Sequence, residues 1–181
     1  MTRSVLDLLA GYQPVHPAEA ADVARVVELA TVAPDPWHRG IPLHITASAL
    51  VVHPATNRVL LRWHNRQHAW LITGGHADPG ETDPVAIAIR EAREETGLGD
   101  LVPWPEPAVI HVAIVRVPAN AVEPAHEHAD VRFVLATANP DAARAESPDA
   151  PLRWLTVSEA ISTTEEPNVR ETVARARRLL G

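Results

Sequence analysis

Apolar positions recur along this chain with two periods, and each period predicts an element. Between Asp83 and Thr96, the residues Val85, Ala88, Ile89 and Ala92 recur three and four apart, and Thr96 extends the same arc, as in an amphipathic helix. Asp83 has the chemistry of an N-cap, Pro84 suits the first helical position, and Gly97 is placed to end the helix. A second such helix covers Asn168 to Leu180. There Val169, Val173, Ala176, Leu179 and Leu180 oppose four arginines between Arg170 and Arg178, which read as a solvated face. Thr2 to Ala10 and Pro17 to Ala30 read as two short helices, and Val157 to Ile161 as a helical turn. Apolar, β-rich runs predict strands at Ile45–His53, Arg58–Trp63, Ala69–Thr73, Val109–Val117, Val131–Ala136 and Leu152–Leu155. Pro54-Ala55-Thr56-Asn57 is the turn between the first two, and a loop rich in proline and histidine precedes the fifth.

Strands on both sides of one long helix, with another helix at the end, suggest an α+β fold or an α/β/α sandwich rather than a regular βαβ repeat. Three prolines and Gly40 between Ala33 and Pro42 mark a hinge. It divides the chain into an N-terminal helical extension, residues 1–40, and a main domain, residues 41–181. A length of 181 residues is enough for a single core. The absence of cysteine excludes a disulfide scaffold, a cysteine nucleophile and thiolate zinc sites, and fits a reducing compartment. A net charge of −7 argues against a grip on nucleic acid. It does not argue against an anionic substrate, because a bound divalent cation inverts the local field. No run is long enough to cross a bilayer and none reads as a signal peptide, so a cytoplasmic protein with no membrane partner is expected.

The helix that starts at Asp83 carries more than a packing stripe. At about 100° per residue, Glu91, Glu94 and Glu95 gather on an arc beside the apolar one. Like charges at this spacing disfavour a helix by roughly 0.2–0.5 kcal/mol per pair, and near the C-terminal end they also oppose the helix dipole. Such a cluster needs compensating cations. Arg90 and Arg93 supply two, so a solvated face of intrahelical ion pairs is one reading. The other is magnesium, which prefers hard oxygen ligands completed by water and substrate phosphates. The stretch Gly74-Gly75-His76-Ala77-Asp78-Pro79-Gly80-Glu81 favours the second, because glycine backbone can approach a metal or a phosphate closely.

Together these residues resemble the Nudix box: Gly, five residues, Glu, seven residues, then Arg-Glu-apolar-any-Glu-Glu-any-Gly-apolar. The chain supplies Gly75, Glu81 and the run Arg90-Glu91-Ala92-Arg93-Glu94-Glu95-Thr96-Gly97-Leu98. Ala92 is small for its position, and eight residues rather than seven separate Glu81 from Arg90, the extra one assigned to Thr82-Asp83-Pro84. The resemblance implies a Nudix-type α/β/α sandwich with a mixed β-sheet. It also implies a hydrolase that cleaves a diphosphate bond in a nucleoside diphosphate derivative, a nucleotide sugar or a nucleoside triphosphate, with activated water. Glu91, Glu94, Glu95 and the carbonyl of Gly74 would bind magnesium, or manganese in its place. Arg90 would orient a carboxylate, with Glu81 as its partner, and Glu91 would take the proton from water. Glu127, Asp130 and Glu146 are the later acids that could serve as base instead. Without cysteine, isopentenyl-diphosphate isomerase-like chemistry is disfavoured and a zinc-ribbon pyrophosphatase is excluded; the acidic balance disfavours decapping of long RNA. The alternative from another class is a Nudix-fold ligand sensor without catalysis, which the complete set of box acids disfavours.

Other residues carry weaker signals. His126, His128, Asp130 and Arg132 share one face at period two. They read as a polar wall of the substrate cleft, as a second metal site, or as an exposed strand edge; zinc would need a further ligand that the sequence does not assign. His76 and Arg62, with Arg66, are candidates to meet substrate phosphates, against turn packing and ordinary surface charge. Trp37, Trp63 and Trp70 are candidates to stack on a base, against a place in the core. The N-terminal helices are placed to form a homodimer or to cover the cleft, and the sequence leaves both open.

Overall fold

The run that begins at Leu43 is the axis of the fold. The computed structural model describes residues 3–181, so Thr2, the first residue of the first expected helix, lies outside it. The chain opens with α1 (Val5–Leu9) and α2 (Pro17–Val32), followed by β1 (Leu43–His53), β2 (Arg58–His64), β3 (Ala69–Leu71) and β4 (Thr73–His76). Then come α3 (Pro84–Thr96), β5 (Val102–Pro103), β6 (His111–Val117), β7 (His126–Ala136), β8 (Leu152–Thr156), α4 (Val157–Thr163) and α5 (Pro167–Leu180).

β1 is buried from His44 to Val52, so it reads as an apolar run rather than an alternating one. On one side it pairs in parallel with β7 along its length, from Leu43 opposite Glu127 to Val52 opposite Ala136. On the other side it is shared: its end pairs antiparallel with β2, and its beginning pairs antiparallel with β4. β3 and β8 extend the sheet from β2, while β5 and β6 extend it from β7, giving one mixed eight-stranded sheet.

Period two divides the sheet into two faces. Ile45, Ala47, Ala49 and Val51 of β1, with Ala129, Val131, Phe133 and Leu135 of β7, pack with Ile87, Ala88 and Ala92 of α3 and with Val5, Leu9 and Val26 of the N-terminal helices. Leu50, Val52, Val134 and Ala136 pack on the opposite side with Val157 and Ala160 of α4 and Val169, Val173 and Ala176 of α5. The result is the α/β/α sandwich with a mixed sheet that the sequence suggested. Among the described residues, no helix is long and apolar enough to cross a membrane.

Several boundaries differ from the sequence reading, each for a physical reason. The glycine pair belongs to β4, where Gly74 lies opposite Ser48 and Gly75 opposite Ala47, and the loop begins only at Ala77. β7 starts at His126, five residues before the expected Val131, because its parallel partner β1 continues to Leu43. The segment expected to be a hinge is packed: Trp37 is buried in the main core, and the Ile45 amide donates to the Pro36 carbonyl at 2.8 Å. Trp37 is therefore core, and Trp63 and Trp70 meet edge to face as a cross-strand pair, with the Arg153 guanidinium 4.4 Å over the Trp70 ring.

The arginines of α5 were expected on a solvated face, and Arg175 is not. It is buried, donating to Glu19 of α2 through Nη1 at 2.6 Å and Nη2 at 2.9 Å. Glu19 also accepts from the Tyr12 hydroxyl and from the amides of Val15 and Val112. Burial alone would raise the Glu19 carboxyl, but Arg175, Tyr12 and the two amides hold it down at about 2. This pair fastens the N-terminal helices to the rest of the molecule. Removing one partner leaves a buried charge uncompensated, at a cost of about 3–5 kcal/mol. Arg175→Ala and Glu19→Ala are each expected to lower the urea-unfolding free energy by about that amount, with the double variant falling well short of the sum. Additive losses would show that the two side chains act separately.

Candidate active site

The acids expected to carry chemistry stand on a helix whose phase is set at both ends. Asp83 accepts from the amides of Val85 and Ala86 at 3.0 and 3.3 Å, Pro84 opens α3, and Gly97 closes it in the left-handed conformation at φ 68°. The buried side of α3 comprises Val85, Ile87, Ala88, Ala92 and Thr96, together with Glu95. Glu91 is half-buried and Glu94 exposed, so the three carboxylates run from the core edge to solvent.

β4 runs beneath them without side chains at the point of contact. A Cβ on Gly75 would lie 2.5–2.6 Å from the carboxylate atoms of Glu91, and one on Gly74 (φ 151°) would lie 2.2 Å from Ser48 Oγ. The Gly74 amide donates to Glu95 Oε2 at 3.1 Å. Gly74 is thus required by the neighbouring strand, and a Cβ on Gly75 would have to push the flexible Glu91 carboxylate aside.

Arg90 organises the acids. Its guanidinium donates to Glu81 through Nε at 3.1 and 3.2 Å and through Nη2 at 2.9 Å. Nη2 also donates to the His76 carbonyl at 2.8 Å, and Nη1 to Glu91 and Glu94, each at 3.1 Å. Arg90 therefore reaches Glu81 across the eight-residue interval. Arg93, offered by the sequence as a second intrahelical partner, is exposed. The second cation is Arg62 of β2, whose Nη1 meets Glu95 Oε1 at 2.5 Å and whose Nη2 lies 3.6 Å from Glu146. Its Nε is buried with no partner among the described residues.

Of the three later acids, Glu146 is the one near this cluster. Glu127 is bound to Arg25 at 2.5 Å and faces Arg116 at 3.6 Å. Asp130 is buried and accepts from Arg132 at 2.7 Å, Ser48 at 2.8 Å and Thr46 at 3.0 Å. Burial would raise Asp130, but the Arg132 guanidinium and the two hydroxyls outweigh it and hold the carboxyl below its usual value. Arg132 in turn donates to the Asn168 carbonyl, Asn168 Oδ1 and Thr172 Oγ1, so its donors are engaged by α5.

His126 and His128 do share a face of β7 with Asp130 and Arg132, but it is the face away from α3. There they meet His76 of β4 and His44 of β1. The ring centroids of His44 lie 5.1 Å from His76, 5.4 Å from His126 and 5.0 Å from His128. Burial depresses His76 to about 3 and His128 to about 4, and lowers His44, so these imidazoles are neutral. His44 was not singled out in the sequence: it sits at the edge of an apolar strand, and nothing local distinguishes it.

Burial raises Glu91, and raises Glu95 from 4.5 to about 7 despite the Arg62 guanidinium. A raised carboxyl favours the folded state when protonated, so Glu95's contribution is fully present below about pH 4.5 and is lost as pH rises through about 7. In metal-free protein, Glu95→Gln is expected to gain stability relative to wild type between about pH 5 and about pH 8, measured by urea unfolding at both. A difference independent of pH would contradict this assignment.

Comparison with known proteins bears on the family and the fold. The family model of the NUDIX domain matches residues 42–176. Among solved structures, a C. elegans Ap4A hydrolase is 20% identical with a TM-score of 0.58, over 76% of this chain and 98% of that one. The E. coli dihydroneopterin triphosphate pyrophosphohydrolase is 16% identical with a TM-score of 0.56, over 75% and 94%. A NUDIX-family hydrolase from Clostridium perfringens is 24% identical with a TM-score of 0.55, over 76% and 95%. At these identities the three structures establish a shared fold. No curated protein matches the sequence. With the family model covering most of its length and every acid of the box in place, the chain belongs to the Nudix hydrolase family.

Proposed function

We propose that this protein is a metal-dependent pyrophosphohydrolase that uses water to cleave a diphosphate bond in a nucleoside diphosphate derivative, either a nucleotide sugar or a nucleoside triphosphate. The observation that carries the reading is the packing of Glu91 and Glu95 against the glycine pair of β4. Carboxylates in such a place are costly unless a cation balances them. Two of the structural relatives are named for Ap4A and dihydroneopterin triphosphate, both substrates with a chain of phosphates.

The donor set fits a hard divalent ion: Glu91, Glu94, Glu95 and the Gly74 carbonyl would hold magnesium or manganese through oxygen alone. When bound, the ion would supply charge neutralisation at the phosphate oxygens and a lowered pKa for bound water. The chain's own residues do the rest. Arg90, anchored on Glu81 and the His76 carbonyl, orients Glu91 and Glu94. Arg62 orients Glu95, and of the residues considered for substrate phosphates it is the one beside the acids. Glu91 is assigned to take the proton from the attacking water, since burial raises its proton affinity. Glu146, beside Arg62, is the alternative base. Arg132, engaged by Asp130 and α5, is assigned to hold the fold.

The direct test offers the protein a panel of nucleotide sugars, dinucleoside polyphosphates and nucleoside triphosphates, with magnesium and with chelator. Metal-dependent release of a nucleotide is expected, falling by about 100-fold in Glu94→Gln. Compounds that bind and raise the melting temperature but stay intact would favour the sensor reading. Gly75→Ala tests the cradle: the added Cβ must displace the flexible Glu91 carboxylate and not the backbone. It is expected to lower kcat by about 100-fold while leaving the far-UV spectrum unchanged, since a shift of about 1 Å at a reacting group costs that much. Full activity in Gly75→Ala would remove Glu91 from the mechanism.

A further inference from the structure

The four histidines on the sheet face away from α3 are an assembled group. We propose that His44, His76 and His128, with His126 as a fourth imidazole at the margin, form a site for a divalent transition metal such as zinc, separate from the carboxylate site. One ring nitrogen from each of His44, His76 and His128 lies within 4.8 Å of the other two. His44 Nε2 is 3.1 Å from His76 Nε2, and His126 Nε2 is 3.2 Å from His128 Nε2. A tetrahedral zinc ion with ligands at about 2.0–2.1 Å places neighbouring donors about 3.3 Å apart, a spacing the His44–His76 pair already has, while His128 must close in from within 4.8 Å.

At His44 and His126 the tautomers point the same way. His44 Nδ1 lies 3.0 Å from the Ile41 carbonyl, and His126 Nδ1 lies 2.9 Å from the Pro124 carbonyl. A carbonyl oxygen only accepts, so in both rings Nδ1 carries the proton and Nε2 presents its lone pair to the cluster. A backbone acceptor on the remote nitrogen is the usual outer support of a metal-bound imidazole. His44 is buried, and the ligands come from three neighbouring strands, β1, β4 and β7, paired in register with His44 opposite His128 and Thr46 opposite His76. Imidazole suits zinc, cobalt, nickel and copper and does not suit magnesium, so the two sites select different ions.

Its position gives this site a task. His76 directly follows Gly75, and its carbonyl is held by Arg90, which orients the acids on the other face. An ion on the His76 ring fixes the end of β4 from below while α3 fixes it from above. His76 is then a positioning residue for the carboxylate site, acting through the backbone that Arg90 holds.

The test uses the full chain after chelator treatment, with excess magnesium to occupy the carboxylates, titrated with Co2+ and followed by visible absorption. One equivalent is expected to bind with the d–d bands of a four- or five-coordinate nitrogen site, and zinc is expected to displace it. Glu91→Gln/Glu95→Gln should retain the spectrum, while His44→Asn/His128→Asn should weaken binding by about 100-fold or more. If the histidine variant fails to fold, the wild-type spectrum and its survival in the glutamate variant decide the matter. Absence of the bands would reduce the cluster to imidazole–imidazole hydrogen bonds and overturn the proposal. Loss of the bands in the glutamate variant would place the ion among the carboxylates and overturn it equally.

Discussion

The close approach of Glu91 and Glu95 to the glycine pair of β4 is the constraint from which the other features of the site follow. It leaves room only for glycine at 75 if Glu91 is to keep its place, since a Cβ there would overlap that carboxylate, while glycine at 74 answers to the neighbouring strand, where a Cβ would overlap Ser48. It requires β4 to be held flat against β1, so β1 must be gripped from its other side, and the ten-residue parallel pairing with β7 does that. It also requires the helix to have one rotational phase. A shift of a single residue turns an α-helix by about 100° and would carry both acids away from the strand. Asp83 at one end and Gly97 at the other remove that freedom.

The same strands carry a second polarity pattern on their other face. From the α4–α5 core outward, the residues of β1 and β7 pass from Leu50 and Val134 to Ser48 and Arg132, then Thr46 and Asp130, then His44 and His128. The Asp130–Arg132 pair is buried among hydroxyls and ties the sheet to the start of α5. A buried pair of this kind adds little net stability compared with apolar packing, but losing either member leaves a charge stranded. It joins β1, β7 and α5 in the register that gathers the histidines.

How much of this was legible in the sequence depended on how local each signal was. The caps of α3, its acid arc and the pairing of Arg90 with a nearby Glu81 lie within seventeen residues, Glu81 to Gly97, and the chain spells them out. The histidine cluster brings residues 44, 76 and 128 together, and only strand pairing does so; His44 looks like the polar end of an apolar run. Arg175 misled for a related reason. Helical spacing placed it among arginines, but α2 happens to present Glu19 against it, and a partner 156 positions away leaves no trace in a helical wheel. The glycine pair was read as a loop because glycine is a poor strand former, an intrinsic preference that tertiary contact overrides here.

The additional residue between Glu81 and Arg90 shows which parts of such a site tolerate change. The loop ahead of the helix is braced internally: the Glu81 amide donates to the Asp78 carbonyl at 2.9 Å and the Asp78 amide to Glu81 Oε2 at 2.8 Å. Glu81 is therefore placed by its own turn and not by where the helix begins. Arg90 to Glu95 are placed by the helix and its packing on β1 and β4. Between these two units lies a short connection that begins at the exposed Thr82, where one more residue costs little because loop-closure entropy grows slowly with length. The long guanidinium of Arg90, with five donors spread over Glu81, Glu91, Glu94 and a carbonyl, spans what variation remains. An insertion two turns later, between Glu91 and Glu95, would have no such slack, because there the same helix carries both the acids and the residues that pack it against the sheet.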